Sequence, residues 1–330
     1  MKHFNSLLSV VKIIFKYSKG KEYDKLFESE QIYDDMLHII TTYYIEGRSI
    51  LDQLTKKVIK KVNSNNVEIK NTNATFDLLI YIVGLLKNSS ISKENQNLLH
   101  NKSAIQHLTK LCKTVLNEEE INNSKIPQLF VQVTGCFRNL AMNPQQIEIF
   151  IQEGALVALS QILSSFKEHK ELSFNTVRIL SKISLNYEAL DVMNMFGNEF
   201  IDALSQVMLN NVSSSSILVR SAFVLGNLTT VYQDSRLSLL KDGRFFTNLL
   251  KFSDELFKND AKKKPTSNKK MDFNRDNTED ALTKTIRLIA NLLTEPNCKK
   301  LIEINKPKVD RFFSNSMNAL KTKTLEKNEE

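Results

Sequence analysis

The side chains able to do chemistry in this chain are not spaced as catalysts or metal ligands are. The five histidines, His3, His38, His100, His107 and His169, share no ligand spacing with cysteines or carboxylates. The cysteines, Cys112, Cys136 and Cys298, are far apart and odd in number. They form neither a disulfide framework nor a paired-cysteine zinc motif, and they read as reduced thiols of a cytosolic-type compartment. Cys136 is expected on an apolar helix face, where a buried thiol is inert. No Gly-rich phosphate loop, Gly-x-Ser-x-Gly elbow or His-Glu-x-x-His occurs. Asp34-Asp35 and Glu118–Glu120 read as solvated acidic runs. The expectation is a non-enzyme that needs no cofactor.

A different group does recur with spacing. Asparagine follows an apolar helical phrase at Asn88, Asn139, Asn227 and Asn291, and Lys182 holds the same place in a fifth copy. The steps are 51, 43, 45 and 64 residues, the last containing a basic insertion of about 20 residues. Without it the last step returns to the low forties, within the HEAT/armadillo period of about 40–47. An Asn amide offers both a donor and an acceptor. Four and seven residues before each anchor lie on the same helical face. The sets are Gln132, Gly135 and Asn139; Asn175, Arg178 and Lys182; Arg220, Phe223 and Asn227; Lys284, Arg287 and Asn291.

This face is polar where its opposite is apolar, so it is expected to be exposed on the inner side of the stacked helices. Arg178, Lys182, Arg220, Lys284 and Arg287 make it basic, which favours an acidic extended partner segment. Two other readings stay open. The cations could form a solvated face, and the asparagines could bond helix to helix inside the stack.

The elements that must carry these residues are helices. Gly and Pro number only 8 and 5, as an all-α chain requires. After the anchors comes a second phrase with glycine at matching places, Gly154, Gly197 and Gly243, suited to a sharp turn between helices. Leu218, Ala222, Leu225 and Leu228 form an apolar stripe that one repeat cannot bury alone, so neighbouring repeats must stack on it. Residues 1–75 lack the phrase and read as a helical cap, with Ile32, Met36, Ile39, Ile40 and Tyr43 on one face. Residues 76–320 read as the solenoid, interrupted by a flexible basic insertion at 258–277, and 321–330 as a fraying charged tail. Asn63–Asn73 reads as a loop.

The phrases at 222–229 (AFVLGNLT), 135–141 (GCFRNLA) and 152–159 (QEGALVAL) resemble the armadillo family. Within it the chain looks most like the ciliary armadillo-repeat proteins tied to axoneme and radial-spoke assembly. Residues 219–229 (VRSAFVLGNLT) and 277–293 (NTEDALTKTIRLIANLL) carry that closer likeness, which covers residues 128–315. The resemblance implies a right-handed armadillo/HEAT-like superhelical solenoid of four to five repeats. It also implies a non-catalytic scaffold whose partners are proteins, as acidic extended segments or subunits of a large complex. Nuclear-import adaptors of the family set a Trp four residues before the ladder Asn; this chain has no Trp, and its Arg178 and Arg287 there would repel a basic signal.

The net charge of +8 is concentrated, since residues 258–275 alone carry +5. The basic loop, with Lys262, Lys263, Lys264, Lys269 and Lys270, has three readings: a solvated loop, a dock for an acidic surface, or a nuclear-localisation or nucleic-acid patch. The last would make the chain a nuclear-transport or nucleic-acid-associated carrier. Only Phe257 and Phe273 lie nearby for base stacking, which argues against nucleic acid. The longest apolar run, Leu78–Leu86, is nine residues, short of the roughly 20 that span a bilayer. Residues 7–15 are apolar but broken by Lys12, with no cleavage site after them, and read as an amphipathic first helix. The expected location is the cytoplasm and, by the resemblance, the cilium or axoneme.

Overall fold

The computed structural model describes residues 2–28, 30–46, 65–116, 123–143, 146–212, 214–261 and 273–329. Among them no strand occurs. The chain forms two compact units, Met1–Lys182 and Ile183–Glu330.

The first unit opens with α1 (Lys2–Tyr17), a 3-10 helix (Lys21–Phe27), and α2 (Glu30–His38) running into a π-helical turn (Ile39–Glu46). Then come α3 (Asn65–Ser89), α4 (Lys93–Asn101), α5 (Ala104–Leu116), α6 (Ile126–Leu140), α7 (Ile147–Gln152), α8 (Ala155–Ser165) and α9 (Lys170–Ile183). The second unit holds α10 (Tyr187–Met195), α11 (Gly197–Asn210), α12 (Ser215–Val231), α13 (Gln233–Leu240), α14 (Arg244–Ala261), α15 (Phe273–Leu293), α16 (Cys298–Ile304) and α17 (Lys306–Glu329). The order is that of armadillo repeats: a long helix bearing the anchor, a short helix, then another helix.

Local signals set these boundaries. Ser92 and Asn186 cap the short helices α4 and α10 by accepting from the amides of Asn95 (3.3 Å) and Ala189 (3.0 Å). Pro127 sits in the first turn of α6, where its missing N–H costs nothing. Gly154, Gly197 and Gly243 take φ of 71°, 68° and 69° at the turn from short to following helix, as their spacing predicts. Ser103 occupies the same turn with φ of 55°, an equivalence its side chain conceals.

The long helices pack side by side, α1 along α3, α3 along α6, and α12 along α15. The expected stripe of Leu218, Ala222, Leu225 and Leu228 is buried in α12. In the first unit Met36 and Ile40 are buried as expected, but Tyr33, Leu37 and Tyr44 complete that face, and Ile32 and Ile39 are half-buried. The stripe is centred one residue later than its apolar pattern suggests, and Tyr33 and Tyr44 bury large rings there.

Two segments differ from expectation. Asn63–Asn73 was expected as a loop, yet α3 is helical from Asn65. Extending a formed helix adds one hydrogen bond per residue, which outweighs asparagine's modest disfavour. The charged stretch from Lys321, expected to fray, continues α17 to Glu329. Its Lys, Leu and Glu residues are good helix formers.

Candidate partner-binding face of the long helices

The anchor asparagines turn their amide nitrogens onto the end of the preceding long helix. Asn139 Nδ2 donates to the Lys87 carbonyl (3.1 Å) and Ser90 Oγ (3.0 Å). Asn227 Nδ2 donates to the Ser184 carbonyl (3.3 Å) and its Oγ (3.0 Å). Asn291 Nδ2 lies 3.0 Å from the Gly226 carbonyl and from the hydroxyls of Thr229 and Thr230. Asn88 Nδ2 meets Ser18 Oγ at 3.0 Å. Helices end with carbonyls that lack intrahelical partners, and the Asn139 and Asn227 amides supply a donor there.

The hydroxyl partner stands two residues after the anchor place in its own helix: Ser90, Ser184 and Thr229. By the same register Ser18 puts the anchor place of α1 at Lys16, so α1 is the long helix of an earlier repeat that the phrase does not reveal. Where the anchor is Lys182, the hydroxyl place holds Ala141, and Lys182 Nζ reaches Met142 Sδ instead. The pair changes together. Installing both halves, Ala141→Ser with Lys182→Asn, should show favourable coupling of about 1 kcal/mol in a double-mutant cycle read by urea unfolding. Additive single effects would count against the clip.

A second contact joins the residue before each anchor to the place four before the next. A Cβ on Gly84 would stand 2.7 Å from Phe15, and one on Gly135 2.6 Å from the Lys87 stem. In the second unit the sizes are exchanged, and Gly226 lies against Arg287. Between α6 and α9 neither member is small, because these places hold Arg138 and Arg178. Burial first, and Arg178 second, lower the Arg138 guanidinium below its ordinary pKa, against an opposing pull from Glu171. Arg138 Nη1 donates to Asn175 Oδ1 at 2.9 Å, and Asn175 Nδ2 to Thr134 Oγ1 at 3.3 Å. Arg178 Nε is buried without a hydrogen-bond partner.

In the second unit Arg287 donates to Asn227 Oδ1 and Thr230 Oγ1, both at 3.0 Å. Lys284 Nζ lies 5.1 Å over the Phe223 ring and 3.6 Å from Asp280. Arg220 Nη1 donates to the Ser216 carbonyl at 3.2 Å. The face is more closed than its polarity suggests. Asn175 and Asn227 are buried, while Asn139, Arg178, Lys182, Arg220, Phe223, Lys284, Arg287 and Asn291 are half-buried.

Lys87 and Arg138, each one residue before an anchor, belong to the first unit's basic face and were not in the predicted set. Their repetition in successive copies was the signal available. Lys262, Lys263, Lys264, Lys269 and Lys270 lie outside the described residues.

Other chemistry-bearing groups are structural in their placement. All three cysteines are buried, and burial pushes the Cys136 thiol up to about 12 and Cys298 up to about 11. His38 and His107 line a cleft of about 400 Å³ together with Asp34 and Asp35. Lys102 pairs with Asp34 there at 2.9 Å. Among the described residues no three His, Cys, Asp or Glu come together as metal ligands.

Buried Glu295, in the turn after α15, fastens that turn to α13, and Arg236 of α13 reaches on to α12. Glu295 accepts from Arg236 Nε (2.5 Å) and Gln233 Nε2 (3.1 Å), while Arg236 Nη1 donates to the Thr229 carbonyl (2.7 Å). The Arg236 and Gln233 hydrogen bonds hold the Glu295 carboxyl below its ordinary pKa. A depressed carboxylate stabilises the fold above its unfolded pKa, about 4.3, and that contribution is lost as pH falls through the lower folded value. Glu295→Gln should therefore lower the melting temperature at neutral pH, with the difference shrinking below about pH 4. A gap that stays constant into acid would refute this assignment.

No family model matches the chain. It is 24% identical to armadillo repeat-containing protein 2 of Mus musculus over 306 residues, covering 91% of this chain and 32% of that protein. The protein of the same name from Homo sapiens is 22% identical over 309 residues, with the same coverages. That from Bos taurus is 24% identical over 299 residues, 88% of this chain and 31% of that protein. The chain thus spans about a third of the length of these relatives. Among the described residues no helix is long and apolar enough to cross a membrane. With the period, the repeated helical triplets and these relatives taken together, the chain has an all-α, armadillo-type repeat fold and is similar to armadillo repeat-containing proteins.

Proposed function

We propose that the chain is a non-catalytic adaptor that holds an acidic extended segment of a partner protein on the cationic long-helix face. The observation carrying this reading is that Arg138 and Arg178 hold the two places that include a glycine between α1 and α3, α3 and α6, and α12 and α15, with Arg178 near enough to help lower the Arg138 guanidinium. Two guanidiniums at one place repel each other, and Arg138's hydrogen-bond partner there is the neutral Asn175. A carboxylate entering between them would relieve the repulsion, and guanidinium forks suit carboxylates. In the second unit Arg287 is likewise held by a neutral amide and a hydroxyl. The anchor amide nitrogens hold the helices together, so the cations rather than those nitrogens are the groups offered to a partner.

The partner belongs to a large complex, and the resemblance over residues 128–315 supports assembly or anchoring of a ciliary axonemal complex such as radial spokes. A tagged chain in ciliated cells should then fractionate with axonemes. The groove itself is tested by fluorescence anisotropy with a labelled Glu-rich extended peptide. Arg138→Gln with Arg178→Gln should weaken it about tenfold, and raising salt should weaken the wild type. Unchanged affinity in the double variant would reject the cationic site.

A further inference from the structure

We propose that the partner segment held in the cationic groove carries two apolar side chains three residues apart among its carboxylates, seated on Ile91 and Met142. This rests on the groove reading above and adds what the groove selects besides charge. The argument starts from register. The place three residues after each anchor is exposed in every copy: Lys19, Ile91, Met142, Leu185, Thr230 and Thr294. Packing within the repeats therefore imposes no apolar residue there. Yet three successive copies hold a large one, Ile91, Met142 and Leu185, exposed by 67%, 54% and 70%. Ile91 and Met142 belong to the first unit, and neither stands at the end of a row of helices. α3 lies between α1 and α6, and α6 lies between α3 and α9, which it meets through Arg138 and Asn175.

This place lies beside the cations. In the second unit Thr230 Oγ1 meets Arg287 Nη2 and Asn291 Nδ2 at 3.0 Å, so it abuts the anchor of the next helix and the residue four before it. In the first unit Met142 Sδ likewise meets Lys182 Nζ at the next anchor, and the residue four before that anchor is Arg178. The Ile91 N–H donates to the Asn88 carbonyl (3.3 Å) and that of Met142 to the Asn139 carbonyl (3.2 Å), so helical winding continues to both residues. Lys87 and Arg138, four residues earlier, are thus on the same side as Ile91 and Met142. Of the carboxylates nearby, Glu171 draws on both Lys87 and Arg138, and Glu94 accepts from Ser92 at the cap of α4 (2.8 Å). A second copy of the chain would bring cations against cations, whereas a segment rich in Glu or Asp would complement them. Spacing supplies the rest. Packed helices stand about 8–10 Å apart. An extended chain in the polyproline II form returns every third side chain to the same side after about 9 Å. Apolar side chains at i and i+3 of the segment then meet Ile91 and Met142, and the other places are left for carboxylates.

The test uses the full chain and three labelled Glu-rich peptides of equal charge, read by fluorescence anisotropy. One carries Leu-x-x-Leu, one has the same two leucines adjacent, and one has Gln in place of both. The Leu-x-x-Leu peptide should bind about tenfold more tightly than the Gln peptide, and at least about threefold more tightly than the respaced one. Ile91→Gln with Met142→Gln should erase that advantage, leaving the Leu-x-x-Leu and Gln peptides within about twofold of each other. That variant should melt as the wild type does, since both side chains are exposed. Equal binding of the three peptides to the wild type would overturn the proposal, as would an advantage that survives in the variant. So would a dimer in sedimentation, or binding to vesicles containing phosphatidylserine, that the variant abolishes. The Gln peptide separates this proposal from the groove reading. If Arg138→Gln with Arg178→Gln weakens it, the groove stands whatever the leucines do; if it is unaffected, the groove and this proposal fall together.

Discussion

Asn227→Ala should lower the stability of the second unit by about 3 kcal/mol, or a melting temperature fall of about 10 °C in a unit of this size. The side chain is buried, its nitrogen satisfies the Ser184 carbonyl and hydroxyl, and its oxygen accepts from Arg287. Truncation leaves those groups unpaired where water cannot readily replace the amide, which costs more than the bonds contribute. Asn139→Ala should cost less, because Asn139 is half-buried and solvent can stand in. Calorimetry on both variants gives the order, and a larger loss at Asn139 would contradict the role assigned to burial.

Gly243→Ala should be the other severe change, at about 2–4 kcal/mol. Its φ of 69° strains any side chain, and a Cβ there would stand 2.6 Å from Leu301 Cδ2. Gly197 separates the two effects. Its φ is 68°, but nothing lies within 4 Å of the would-be Cβ. Gly197→Ala should therefore show the backbone strain alone, about 1 kcal/mol. Denaturant midpoints of the two variants measure the difference; equal losses would mean that packing against Leu301 contributes nothing.

These glycines show how the fold could be read from the chain. Their spacing marked the turns because only glycine takes that backbone freely, and the apolar stripe of α12 marked the packing face because burial selects side chains by period. Ser103 makes the same turn, and its side chain gives no sign of it. The first repeat was missed for a related reason. Lys16 replaces the asparagine, so the phrase is broken although Ser18 keeps the hydroxyl's place.

The candidate face was legible only in part. Counting back from each anchor found Arg178, Arg220, Lys284 and Arg287. It could not find Arg138, because that contact lies between the residue before one anchor and a residue on the next helix. Nor could periodicity say where the asparagine amides point. That depends on how near the preceding helix end lies, and α3–α6 and α12–α15 pack closely enough for the amide to reach it.

The account divides labour between two groups: asparagine amides fasten α3, α6, α12 and α15 to the residues ending the long helix before them, and guanidiniums receive the partner. Titrating the Glu-rich peptide against the Asn139→Ala variant tests this most directly, with its urea midpoint measured alongside. The expected result is a lowered midpoint with a dissociation constant within about twofold of wild type. An unchanged midpoint with affinity weakened about tenfold would show that the amide grips the partner, and would contradict the account.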